Sequence, residues 1–91
     1  MSYAKEKTYS IGDAAEIIGA TQRQLRNWEE QNYIPKLDRI ICGDRHYRRF
    51  HLKDIELGQL IKKYLEDGFT LPVAAQKARS ELKERGAKYN A

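Results

Sequence analysis

Apolar residues follow a helical spacing near the start of the chain, an alternating one in its middle, and a helical one again towards its end. Ile11, Ala14, Ala15 and Ile18 stand at i, i+3, i+4 and i+7, one face of a helix. Ser10 with Asp13 gives a capping-box-like start, and Gly19 supplies a left-handed stop. A helix of about two turns needs a partner to exist. Only Ala20 separates that stop from Thr21, a second N-cap whose box partner is Gln24. Leu25 and Trp28 follow at i+4 and i+7 from Thr21, so one face turns inward. Asn32 suits the residue after a helix, and Pro35 bars continuation. Two short helices joined by so tight a turn make a helix-turn-helix.

From Lys36 to Phe50 the period changes. "LDRII" and "RHYRRF" are rich in β-branched and aromatic residues, with Gly43-Asp44 between them as the centre of a type II′ hairpin. That turn sets Cys42 opposite Arg45, Ile40 opposite Tyr47 and Leu37 opposite Phe50, with Leu37, Ile41 and Phe50 facing the core. A longer helix is expected from about Leu52 to Asp67, its buried stripe Leu57, Leu60, Ile61, Tyr64 and Leu65, with Gly68 ending it. Thr70 then caps a last helix that has Pro72 in its tolerant first turn and Leu71, Ala75, Ala78 and Leu82 on its apolar face. The predicted fold is mainly α, a winged helix-turn-helix in the order helix, helix, β-hairpin wing, helix, helix. Residues 1–91 make a single domain with an ordered core of about 8–85, a polar lead-in to about residue 9, and a tail that frays beyond Arg85.

Composition sharpens this picture. A chain of 91 residues buries a modest core, so function is expected on its surface. A net charge of +4 and a pI near 9.3 favour an anionic partner, nucleic acid first. One cysteine allows no internal disulfide, and there is neither a membrane-length apolar run nor a signal peptide's apolar segment. These features predict a soluble, globular protein of the reducing cytosol.

With Leu25 and Trp28 inward, Gln22, Arg23, Arg26 and Asn27 face out near the start of their helix. Such tips can fork onto guanine or adenine in the major groove, and they are equally common on solvated faces. The hairpin shifts the balance. Residues 36–50 set Lys36, Arg39, Arg45, Arg48 and Arg49 against Asp38 and Asp44, a net +3 of the chain's +4. Arginine forks suit phosphate oxygens, and Tyr47 among them offers a hydroxyl. The alternative use of such charges is to guard a sheet edge. The last helix interleaves opposite signs, as in Glu81–Arg85 and Glu84–Lys88, and reads as a solvated face. Cys42, His46 and His51 lack a fourth ligand, so no metal is expected; no cofactor is either. No nucleophile comes with a convincing base, so catalysis finds no support.

Three stretches in order resemble a known family. "LRNWE" with the exit Asn32-Tyr33-Ile34-Pro35, the wing motif Tyr47-Arg48-Arg49-Phe50, and the junction Gly68-Phe69-Thr70-Leu71 resemble the N-terminal DNA-binding domain of MerR-type transcription regulators, over about residues 8–85. The resemblance implies sequence-specific binding of double-stranded DNA, with the second helix in the major groove and the wing on the phosphate backbone. By position, Thr21, Gln22, Arg23 and Arg26, with Arg45, Tyr47 and Arg48 of the wing, inherit DNA-contacting roles. Asn27, Lys36 and Arg49 join them from the reading of exposed groups. The resemblance also implies a homodimer of the full-length protein through a helix beyond the fourth one, with the isolated domain monomeric. Two rivals stand beside this reading. One is an excisionase-like or DNA-packaging architectural protein. The other is a protein-interaction adapter using an apolar patch of Ala74, Ala75 and Ala78.

Overall fold

The computed structural model describes the backbone of residues 7–90 and the side chains of residues 7–86. Expectations for residues 1–6, and the pairing of Glu84 with Lys88, lie outside them. In chain order the elements are β1 (Tyr9–Ser10), α1 (Ile11–Ile18), α2 (Gln22–Glu30), β2 (Asp38–Cys42), β3 (Arg45–Phe50), α3 (Leu52–Glu66) and α4 (Leu71–Asn90).

Local chemistry sets the helix ends. Ser10 Oγ accepts from the Asp13 N–H at 3.1 Å, and Gly19 closes α1 at φ 84. Thr21 and Gln24 exchange reciprocal bonds of 3.0 and 2.9 Å at the start of α2. Asn32 takes φ 67 after the helix. There its N–H donates to the Glu29 carbonyl, and that of Tyr33 to the Trp28 carbonyl, so the last carbonyls are satisfied in a Schellman arrangement.

The hairpin has the expected register, with Cys42 opposite Arg45 and Ile40 opposite Tyr47. Gly43 has φ 63 and Asp44 no positive φ, in keeping with a type II′ turn. Tyr9 falls in the expected polar lead-in and Ser10 is the expected cap of α1. Tyr9 and Ser10 also pair with Phe50 and Arg49 on the open edge of β3, giving the sheet order β1-β3-β2. A strand of two residues has no alternation of its own to read. A second correction concerns Ile41, which shares a face with Leu37 and Phe50 yet is 67% exposed. The hairpin simply extends past the core there.

Trp28, Phe50, Leu25, Ile34 and Ile61 are the largest fully buried side chains. On α3, Leu57, Leu60 and Ile61 are buried as expected, Ile55 joins them, and Tyr64 and Leu65 sit at the margin. The Tyr64 hydroxyl donates to Glu81, which also pairs with Arg85, each at 2.7 Å, tying α3 to α4. Ala74, Ala75 and Ala78 are completely buried, so the apolar patch imagined for an adapter is consumed inside the domain. The fourth helix runs on to Asn90, through the stretch beyond Arg85. Gly86 costs it about 1 kcal/mol relative to Ala, which weakens a helix without stopping it.

One close approach locks α1 to α3. A Cβ on Gly58 would lie 2.5 Å from Ile18 Cδ1 and 3.1 Å from its Cγ1. Overpacking of this kind costs about 1–3 kcal/mol, partly offset by the better helix propensity of Ala. Gly58→Ala is therefore expected to destabilise by about 1–2 kcal/mol in urea unfolding. Adding Ile18→Val should recover part of that loss, and an unaltered midpoint for the single variant would show that the packing yields freely.

Candidate nucleic-acid interface

The helix-turn-helix leaves one side of α2 to solvent. Leu25, Trp28 and Glu29 are buried, while Thr21, Gln22, Arg23, Gln24, Arg26, Asn27 and Glu30 are exposed. Thr21, Arg23, Gln24, Arg26, Asn27 and Glu30 line one shallow depression. Gln24 is committed to the cap. Arg26 Nη2 donates to Gln22 Oε1 at 3.3 Å, and Gln31 Nε2 to Asn27 Oδ1 at 2.8 Å. These are contacts between exposed groups, easily exchanged for others. Among the described residues neither Arg23 nor Arg26 takes part in an ion pair. Glu30 was not singled out from the sequence; its carboxylate accepts hydrogen bonds only, so it repels phosphate and suits a cytosine amino group.

The wing divides its cations between inside and outside. Glu29 is only 6% exposed, on the side of α2 away from solvent. Arg39 grips it with both terminal nitrogens, Nη1 to Oε2 at 2.8 Å and Nη2 to Oε1 at 2.9 Å. Arg48 Nε adds a bond to Oε1 at 2.7 Å, and the Leu37 N–H one to Oε2 at 2.7 Å. Burial by itself pushes the Glu29 carboxyl up. The bonds from Arg39, Arg48 and the Leu37 N–H outweigh it and hold the group at about 2. Arg39 is raised in turn, chiefly by its bond to Glu29.

This clasp joins the last turn of α2 to both strands of the wing. It also changes what the wing offers. Arg48, assigned to the phosphate backbone from its position in the motif, has its Nε turned to Glu29. Arg49 donates to the Thr8 hydroxyl and carbonyl at 3.1 Å each, bracing β1. Lys36, Arg45 and Tyr47 remain exposed. Glu29 is the residue whose role sequence reasoning missed. Its signal was a lone carboxylate one position past the buried Trp28, on the inward face of a helix.

Cys42 and His46 fall on opposite faces of the hairpin, since Cys42 pairs with Arg45 and His46 with Ile41. His51 precedes α3, with Nε2 2.7 Å from Asp38 Oδ2 and its N–H donating to the Asp54 carboxylate at 2.9 Å. These three side chains do not converge. Among the described residues no helix is long and apolar enough to cross a membrane.

Comparison with known proteins places these elements in a context. Residues 9–81 match the family described as "MerR HTH family regulatory protein". No curated protein matches the chain. Among solved structures, the chain is similar to HiNmlR, described as a MerR family regulator lacking the sensor domain, bound to promoter DNA. The TM-score is 0.66 at 24% identity, over 92% of this chain and 66% of that one. At that identity the likeness is one of fold.

Proposed function

The chain belongs to the MerR HTH family of regulatory proteins, and from that premise we propose that it binds double-stranded DNA sequence-specifically to regulate transcription. In this reading α2 enters the major groove and presents Gln22, Arg23, Arg26 and Asn27 to base edges. Thr21 and the first turn of the helix meet phosphate. Lys36, Arg45 and Tyr47 lie along the flanking backbone, while Arg48 and Arg49 hold the wing in place and lend it charge. The reading involves no catalytic step, and it is that of a cytoplasmic protein.

The observation that carries it is the division of arginines. Arg39 and Arg48 are spent on one buried carboxylate, whereas Arg23, Arg26 and Arg45 stand exposed with no carboxylate partner among the described residues. HiNmlR, similar in fold, was captured on promoter DNA, which supports the same class of partner here. Two copies on paired half-sites would bind far better than one, since a single half-site offers few contacts.

Titrating a mixed-sequence duplex at low and high salt tests the proposal. Binding that weakens steeply with salt is expected, because phosphate contacts release counterions. Absence of binding at low salt would instead favour a protein-docking role. Within the interface, Arg23→Ala is expected to cost about 1–3 kcal/mol and relax preference at one base position. A uniform loss across all sequences would make Arg23 a phosphate contact.

A further inference from the structure

Glu30 closes α2 with a carboxylate that helix stability does not ask for. The last turn of a helix carries the negative end of its dipole, which repels an acid and favours a cation. A partner would offset that cost, yet among the described residues Glu30 enters no ion pair. Arg26 stands four residues before it, in the weaker of the two orders for such a pair, and its guanidinium turns to Gln22 instead. The adjacent Glu29 is buried and answered by two arginines, so neighbouring acids have opposite surroundings.

The place of the side chain is more informative than its charge. Arg23, Arg26, Asn27 and Glu30 stand at i, i+3, i+4 and i+7, and together they line the depression on α2. A ligand that fills this depression meets all four tips. From Arg23 to Glu30 the helix rises about 10 Å. Base pairs stack about 3.4 Å apart, so the stripe spans about three of them. A carboxylate only accepts hydrogen bonds, and the base edges in a major groove answer it unequally. Guanine shows it two acceptors, thymine one, and adenine a donor beside an acceptor, whereas cytosine shows a donor alone.

We propose that Glu30 is a specificity-determining residue of the α2 face. It accepts from the amino group of a cytosine about three base pairs from the base that Arg23 reads, and it rejects the other three bases there. This role rests on the duplex-binding reading above and adds to it a position chosen mainly by exclusion. The same charge repels phosphate, so it lowers affinity for unmatched duplexes, where no amino group answers it.

The test uses the full chain, a duplex selected from a random pool, and versions of that duplex with each base pair changed in turn. Wild type, Glu30→Gln, Glu30→Ala and Arg23→Ala are titrated against all of them. The wild type is expected to lose on the order of tenfold in affinity when one particular cytosine is replaced. That cytosine should lie about three steps from the position relaxed by Arg23→Ala. Glutamine forks onto adenine, so Glu30→Gln should move the preference there from cytosine to adenine, while Glu30→Ala should leave the position indifferent. Both variants should bind an unmatched duplex more tightly than the wild type. Their urea midpoints should hold or rise, because the clash with the helix dipole is relieved. Base preferences unchanged in both Glu30 variants, with the wild type still selective, would overturn the role of Glu30 and leave duplex binding standing. A loss spread over every position, together with a lowered urea midpoint, would overturn it too, by making Glu30 a residue of the fold. Failure of the wild type to bind any duplex would remove the parent reading and this role with it.

Discussion

Replacing Glu29 by Ala is expected to cost about 3 kcal/mol of stability and to loosen the wing. Breaking a buried ion pair by removing one partner typically costs about 3–5 kcal/mol. The lower end applies because Arg39 and Arg48 keep 26% and 20% of their side chains exposed and can turn to water. The Leu37 N–H cannot, and it loses its acceptor. In a domain whose whole stability is of the order of 5–15 kcal/mol, such a loss is severe. Urea unfolding measures it, and hydrogen exchange at the amides of β2 and β3 reports whether the wing has come away from α2. A cost below about 1 kcal/mol would show that water replaces the clasp without penalty.

Acid should undo the same contact. An ordinary glutamate titrates near 4.3, and Glu29 is held at about 2 in the folded protein. Between these values the unfolded chain binds more protons than the folded one, so stability falls as pH drops. The contribution of Glu29 is complete above about pH 5, declines through the interval, and is gone below about pH 2. Two units correspond to roughly 3 kcal/mol at most. Unfolding midpoints from pH 6 down to pH 3 should fall more steeply for the wild type than for Glu29→Gln, which has no proton to take up there. Parallel curves for the two proteins would assign acid sensitivity to other carboxylates.

These two expectations concern a residue that the sequence disclosed only in part. What could be read from the chain was local chemistry. Ser10, Gly19, Thr21, Gln24 and Asn32 act through bonds to neighbours three or four positions away, so their roles follow from spacing alone. The hairpin register was equally legible, because Gly43-Asp44 sets which residues oppose each other. What escaped depends on distant partners. Tyr9 and Ser10 become a strand only because β3 has an open edge forty residues later. Ile41 lies on the predicted face, but a pleat says which way a side chain points and not how far the core extends beneath it.

The arginines of the candidate interface show the same limit. Arg39, Arg45, Arg48 and Arg49 are one residue type in one hairpin, and composition gives them one role. The fold separates them by whether a carboxylate or a carbonyl lies within reach. Arg48 finds Glu29 and Arg49 finds Thr8, while Arg45 lies out near the turn. On α2 the outward set of Gln22, Arg23, Arg26 and Asn27 was readable because Leu25 and Trp28 leave only one orientation for the helix. Glu30 escaped notice because a single acid among basic tips looks like solvated surface.

Methylation interference on a duplex selected from a random pool tests most directly whether α2 reads the major groove. Methyl groups on guanine N7 project into that groove, where Arg23 and Arg26 are expected to fork onto O6 and N7. Methylation at one or two central guanines should abolish binding of the wild type, and Arg23→Ala should lose sensitivity at one of them. Full binding irrespective of which guanine is methylated would place α2 outside the groove.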